Sequence, residues 1–138
     1  MLFVTGHAPA YRAGAFTRLH ELEDIELALF GGPVRHGGEP ATPALAVPRH
    51  HVRPREIYRL AASGAYRAVV CSTAGRVAPV AAWRGARRAR VPLVLWASLW
   101  AHPRTPAHAL TYAPLQTLYR SADAVVTYGE HVSAYVRA

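Results

Sequence analysis

Short apolar runs, nearly free of charge, alternate along this chain with segments that favour helix. The runs are too short to be buried helices, and they lack the polar alternation of a sheet with one wet face, so they predict strands covered on both faces. Strands that alternate with helices form β-α units and a parallel sheet. We therefore expect an α/β fold, a Rossmann-like doubly wound parallel sheet of about six strands with right-handed crossovers.

Each predicted element is bounded by turn residues or by a helix signal. The predicted strands are Met1–Thr5, Ile25–Phe30, Ala44–Val47, Arg67–Ser72, Val91–Ser98 and Ala124–Thr127. The predicted helices are Gly14–Glu23, Pro54–Gly64, Arg76–Ala89, Thr105–Arg120 with a bend at Pro114, and Gly129–Ala138. A long loop is expected over Gly31–Pro43, which holds four Gly and three Pro.

Length and cysteine content limit the class of protein further. The 138 residues fit one domain. The single cysteine, Cys71, excludes an internal disulfide and a cysteine-rich zinc site. No apolar run reaches the roughly 18 residues that a membrane span requires. We expect a cytoplasmic protein, or one held peripherally at the inner face of the membrane.

All sixteen basic residues are Arg, and the formal net charge is +8. Without Lys the chain cannot hold a Walker A loop, a Schiff-base lysine or a Ser-x-x-Lys nucleophile. The charge implies an anionic partner, either a nucleotide or an anionic lipid surface, with nucleic acid a weaker third choice; a GC-rich genome would also explain the Arg usage. A basic cluster beside Trp83 ends one predicted helix and consists of Arg84, Arg87, Arg88 and Arg90. It fits either phosphate head groups or a solvated helix end.

A ligand site is expected beyond the carboxyl ends of the strands, where the strand order reverses. The loops that follow the first, fourth and fifth strands meet there: Gly6–Gly14, Thr73–Arg76 and Leu99–Arg104. Each loop contains an Arg, and two contain a His. Their convergence predicts a functional cleft.

Several sharper motifs are absent. The chain has no Gly-x-Gly-x-x-Gly and no Gly-x-Ser-x-Gly, and no two His lie three or four residues apart. His50 and His51 are expected in a basic loop without a metal, and His20 on a helix surface. Asp123 is expected to pair with backbone rather than to catalyse.

Three segments resemble family 4 glycosyltransferases, in the order in which that family has them. Phe3–Leu19 is similar to the opening strand, loop and helix, Arg90–Trp96 to the fifth strand, and Ser121–Val132 to the segment before the interdomain crossing. The resemblance implies one half of a GT-B fold. It places residues 1–138 in a single acceptor-side domain, truncated before its last strand, with the C-terminal donor-binding domain absent.

The family resemblance also implies an activity. The chain would be the acceptor-binding half of a hexosyltransferase-type enzyme that retains anomeric configuration, uses a nucleotide-diphosphate sugar as co-substrate, and needs no metal or other cofactor. Its partners would be a sugar-accepting substrate and the donor-binding domain, in cis or in trans. Alone it is expected to be inactive.

Site residues follow from the same resemblance. Many members carry a His at the end of the fifth strand; here the aligned position holds Ser98, and the catalytic role is assigned to His102, four residues later. Gly14 matches the glycine that lets backbone approach the donor phosphate, and Arg12 is placed to balance phosphate or acceptor charge. The other predicted substrate-binding residues are His7, Tyr11, Trp96, Ser98, Trp100 and Arg104.

The alternative is a stand-alone, non-catalytic Rossmann-like module that docks a partner chain or an anionic membrane through its Arg surface. The last predicted helix discriminates between the two. If its apolar side (Val132, Tyr135, Val136) has nothing in the chain to cover it, a further segment is implied.

Overall fold

The computed structural model describes residues 1–31, 45–98 and 106–137, with side chains from 112 onward in the last range. These residues form an α/β fold around one six-stranded, all-parallel sheet. The strands are β1 (Leu2–Thr5), β2 (Glu26–Leu29), β3 (Arg49–His51), β4 (Val69–Ser72), β5 (Leu93–Ala97) and β6 (Ala124–Thr127). Their order across the sheet is β3-β2-β1-β4-β5-β6, so the direction of winding reverses between β1 and β4.

Five helices flank the sheet in the described part of the chain. They are α1 (Ala13–Glu23), α2 (Pro54–Ala61), α3 (Ala78–Ala89), α4 (Pro106–Ser121) and α5 (Glu130–Arg137), and a 3-10 turn, Ala10–Arg12, precedes α1. None of the described helices is both long and apolar enough to cross a bilayer. The Rossmann-like doubly wound fold predicted from the alternating pattern is confirmed.

Alternate residues of the central strands enter two separate cores. Leu2 and Val4 of β1 face the core shared with α2, α3, α4 and α5, whereas Phe3 faces a smaller core on the side of α1, where it packs with Phe16. Apolar residues thus occupy both faces of β1, which explains why its sequence shows no alternation of apolar and polar residues.

The third strand departs from its predicted position. The strand was expected at Ala44–Val47, but β3 is Arg49–His51, three exposed residues at the edge of the sheet, and β2 is the partner of this strand among the described residues. Leu45 and Val47 are buried in the α1-side core without being strand. An edge strand is held by backbone hydrogen bonds and requires no apolar side chains. The prediction from hydropathy therefore placed the strand at the buried apolar residues that precede it. His50 and His51 therefore lie in a strand rather than in the expected loop.

Local signals set the helix ends. Pro54 opens α2, where its missing N–H costs nothing, and the Glu56 carboxylate accepts a 2.7 Å hydrogen bond from the Arg53 N–H. Gly64, expected to stop this helix, lies just beyond its end with φ of +76°. Asp123 accepts a 2.8 Å hydrogen bond from the N–H of Leu93, confirming its predicted pairing with backbone.

Gly85 allows α2 and α3 to pack closely. A Cβ at Gly85 would lie 2.5 Å from the Cβ of Ala61 and 2.9 Å from the carbonyl oxygen of Tyr58. Ala82 and Ala86 of α3 are buried on the same side of that helix. Small side chains therefore set the distance between the two helices.

The last helix is covered by the chain itself. Val132 is only 1% exposed and belongs to the larger core, and Tyr135 and Val136 pack partly buried against it. The apolar side of α5 thus does not call for a further covering segment. Pro114 lies inside α4, as predicted.

Candidate functional site

A pocket of about 450 Å³ opens at the carboxyl ends of the central strands. It lies where the strand order reverses, and its volume is within the range of small-molecule sites. Its lining comes from residues that end or follow β1, β4, β5 and β6: Thr5, Gly6, His7, Pro9, Tyr11, Arg12, Ser72, Ala74, Trp96, Ser98 and Tyr128. Two of the three loops expected to converge here do so; the third, Leu99–Arg104, lies outside the described residues.

Trp96 forms an aromatic wall of this pocket. Its ring meets Phe3 edge-on at a centroid distance of 5.3 Å and stacks on Tyr128 at 5.5 Å with an interplanar angle of 28°. Phe3 in turn packs edge-on against Phe16 of α1. Trp96 thus joins the α1-side core to the pocket and holds Tyr128, which is 50% exposed, in position.

The Arg12 side chain lies across these rings. Its guanidinium carbon is 5.0 Å from the Trp96 ring centroid, 5.3 Å from that of Tyr11 and 5.8 Å from that of Tyr128. Burial raises the pKa of Tyr128, and the positive charge of Arg12 partly opposes that shift. A cation is therefore fixed on the pocket wall by cation–π contacts.

His7 is held against the backbone of the next loop. The Gly31 N–H donates to the Gly6 carbonyl at 2.9 Å, and a Cβ at Gly31 would overlap the His7 ring and that carbonyl. The Thr5 hydroxyl is 3.4 Å from the His7 carbonyl oxygen. The absence of a side chain at Gly31 thus allows the His7 ring to pack there.

Ser72 lines the pocket, but its hydroxyl is closed to solvent. Its Oγ is buried at the end of β4 and has no hydrogen-bond partner among the described residues. Because water does not reach this oxygen, a ligand in the pocket does not reach it either, and Ser72 contributes to the shape of the pocket rather than a hydrogen bond. The following turn needs Gly75, whose φ is +77° and whose position leaves 3.2 Å between a built Cβ and the Phe30 ring.

The pocket brings together five of the predicted site residues: His7, Tyr11, Arg12, Trp96 and Ser98. Gly14 instead lies exposed in the first turn of α1, outside the pocket lining. Trp100, Arg104 and the predicted catalytic His102 lie outside the described residues.

Sequence reasoning missed Tyr128 and Ser72 as pocket residues. Ser72 is the last residue of β4 and Tyr128 directly follows β6, so both obey the rule that selected the other loops. Extending the rule to β6 would have found Tyr128, and counting the last residue of each strand as well as the loop after it would have found Ser72.

A second polar cluster lies at the β3 edge. The Glu26 carboxylate accepts hydrogen bonds from Tyr66 at 2.8 Å and from His50 at 3.1 Å, and these contacts hold its pKa below the usual range. Burial and the nearby carboxylate raise the pKa of Tyr66 to about 12.

The other described histidines and carboxylates form no metal site. His20, expected on the surface, is partly buried, with Nδ1 2.7 Å from the Ile25 carbonyl oxygen. In the ranges that the structure describes, no group of three or more His, Cys, Asp or Glu could hold a metal ion.

The predicted Arg cluster lies at the opposite end of the sheet. Arg87 packs its guanidinium 5.8 Å from the ring centroid of Trp83, and both line a 390 Å³ pocket with Asp123 and Arg90. Arg84 and Arg88 are exposed on the same helix end. Within the described residues, none of the four Arg forms an ion pair with a carboxylate.

The described residues thus define an α/β protein with a Rossmann-like sheet and a cationic, aromatic pocket at the carboxyl ends of its strands. No protein-family model matches the chain, and neither does any curated protein or any solved structure. Function is therefore inferred from the pocket and from the sequence motifs.

Proposed function

We propose that this chain is the acceptor-binding half of a nucleotide-sugar-dependent glycosyltransferase that retains anomeric configuration. The observation that carries the proposal is the aromatic and cationic wall of Trp96, Tyr128 and Arg12, placed at the edge of the sheet where such folds bind ligands. The resemblance of three segments to family 4 glycosyltransferases supports the reaction class, since a fold alone does not choose a chemistry.

The pocket residues have distinct tasks under this proposal. The exposed rings of Tyr11 and Tyr128 present apolar surface beside which a sugar ring can lie. Binding in this orientation brings the acceptor hydroxyl toward the anomeric carbon of a donor held by the second domain. The acceptor oxygen forms the new glycosidic bond as the bond to the nucleoside diphosphate breaks. The chain contributes positioning, and His102 is the proposed catalytic residue.

The proposal is tested by saccharide binding to the 138-residue chain. Titrating saccharides, both neutral and anionic, into the ¹⁵N-labelled chain is expected to shift the Trp96 indole N–H and the Gly6 amide. Replacing Tyr128 with Ala removes the ring stacked on Trp96 and is expected to weaken that binding by about five- to tenfold. The matched control is Tyr58→Ala, which removes another partly exposed tyrosine far from the pocket and is expected to leave the affinity unchanged.

Two outcomes would overturn this proposal. One is that no saccharide of either kind shifts the pocket signals. The other is that Tyr58→Ala weakens binding as much as Tyr128→Ala does. Reading the coding DNA past codon 138, and the neighbouring frame, is the accompanying check: the proposal requires a second α/β domain to be encoded in one of them.

The Arg cluster lies at the end of the sheet opposite the pocket. It favours a second candidate function, in which the chain is a non-catalytic module that docks on an anionic membrane. Under this alternative the chain co-sediments with vesicles that contain phosphatidylserine and not with pure phosphatidylcholine. Changing Arg84, Arg87 and Arg88 to Gln then lowers vesicle affinity about a hundredfold, at about 1 kcal/mol per charge.

The control for net charge is a triple variant at three exposed Arg elsewhere, Arg18, Arg53 and Arg55, also changed to Gln. It is expected to lower vesicle affinity much less. Absence of vesicle binding at low salt, or an equal loss in both triple variants, would exclude docking through this cluster.

A further inference from the structure

Arg12 occupies the place that a neutral ring would need. Its guanidinium lies 5.0 Å from the Trp96 centroid, and Tyr128 stacks on that ring as well. Phe3 meets the same indole edge-on. The Trp96 ring already contacts three other side chains, so a sugar ring cannot stack on it freely. The Arg12 guanidinium is the group that the pocket presents to a ligand.

Among the described residues, the positive charge of Arg12 has no negative partner. Every ion pair among the described residues lies elsewhere, on Arg18, His20, His50, Arg59 and Arg67. None of the described residues that line the pocket is Asp or Glu. Carboxylates are scarce in the whole chain, with eight against sixteen Arg, so an acid-free pocket leaves this cation unneutralised.

The aromatic contacts also hold the guanidinium in place, since its carbon lies within 6 Å of three ring centroids. A guanidinium carries five N–H donors, so donors remain that can bind a carboxylate or phosphate through two parallel hydrogen bonds. The three rings fix the side chain before any ligand arrives, which lowers the entropy cost of binding.

We propose that the acceptor recognised by this pocket is anionic, with a phosphate or carboxylate group that binds Arg12 while its sugar ring contacts the exposed side of Tyr128. This inference rests on the proposed function and assigns its acceptor class. It also places Arg12 on the acceptor side, since Gly14, the residue expected near the donor phosphate, is outside the pocket lining.

The test compares dissociation constants of four probes for the 138-residue chain at low salt. The probes are glucose, glucose 6-phosphate, glucuronate and inorganic phosphate. We expect at least one anionic sugar to bind about ten- to a hundredfold more tightly than glucose, as a charge-assisted hydrogen-bonded pair provides. The two anionic sugars distinguish phosphate from carboxylate recognition.

Substitutions at Arg12 give the decisive comparison. Arg12→Gln is expected to abolish the preference for the anionic sugar, and Arg12→Lys to keep part of it, because Lys retains the charge and loses the two-pronged contact. Arg18→Gln is the control with the same change of net charge, on the exposed surface of α1. It is expected to keep the full preference.

The outcomes separate this inference from the proposed function. If glucose binds as tightly as the anionic sugars, or if Arg12→Gln keeps the preference, the anionic acceptor is excluded and the glycosyltransferase proposal stands. If inorganic phosphate binds as tightly as glucose 6-phosphate, the sugar contributes nothing and the acceptor site is excluded. A circular-dichroism melt of each variant shows whether the fold is kept, and Arg12→Lys alone suffices for the comparison if the Gln variant does not fold.

Discussion

We expect the thiol of Cys71 to react with a water-soluble thiol reagent at least about a thousandfold more slowly in the folded chain than in the chain unfolded by urea. Cys71 is fully buried in β4, and burial raises its pKa to about 12. The reactive thiolate therefore forms only when the domain opens. The measurement is the labelling rate at about pH 8 with and without urea.

The control moves the cysteine a short distance to an exposed position. In the double variant Cys71→Ala and Ser98→Cys, the thiol follows β5 in an exposed position, and labelling is expected to approach the unfolded rate. Native labelling of Cys71 within tenfold of that rate would contradict the burial described above.

The raised pKa of Cys71 also makes stability depend on pH. The folded chain holds the thiol proton more tightly than the unfolded chain does. The contribution of this group to stability is therefore complete below the ordinary pKa of 9.0 and is lost as the pH rises toward 12.

Gly85→Ala is expected to lower the free energy of unfolding by about 1–3 kcal/mol, although alanine is the better helix former. The added methyl would overlap Ala61 and the Tyr58 carbonyl, so α2 and α3 must separate. Urea unfolding measures the loss. Gly14→Ala in α1 is the matched control, because a Cβ there meets nothing within 4 Å, and its stability is expected to be unchanged or slightly higher.

A double-mutant cycle identifies the cause of that loss. Ala61→Gly in the Gly85→Ala background removes the closest clashing atom and is expected to restore part of the stability, despite the cost of a glycine inside α2. If the changes in the free energy of unfolding were simply additive, the loss in Gly85→Ala would not come from the α2–α3 contact.

Strand and helix types were predictable because burial on both faces leaves a continuous apolar run. Ala124–Thr127 was predicted to the residue, and α2 was found from Pro54 and Gly64. The position of the third strand was predicted wrongly, for the opposite reason. Arg49–His51 is exposed and held by backbone pairing with β2, which no side-chain pattern records.

Part of the candidate site was equally accessible from sequence. Arg12 follows from the rule that ligands bind beyond the carboxyl ends of parallel strands, whereas Trp96 was predicted from the resemblance to family 4 glycosyltransferases. Neither source indicates that the two side chains touch. The contact of Arg12 with Trp96 and Tyr128 depends on side chains that lie 84 and 116 residues apart in the chain, brought together only by the folded sheet.

The strand order has a consequence for how this domain is made in the cell. β1 leaves the ribosome first but lies in the middle of the sheet, between β2 and β4. Its partner β4 begins only at Val69. Synthesis adds roughly 5–20 residues per second, so the edge of β1 that pairs with β4 stays unpaired in the nascent chain for about 3–14 s. In that interval the unpaired edge of β1 is a site where aggregation can start, until β4 covers it.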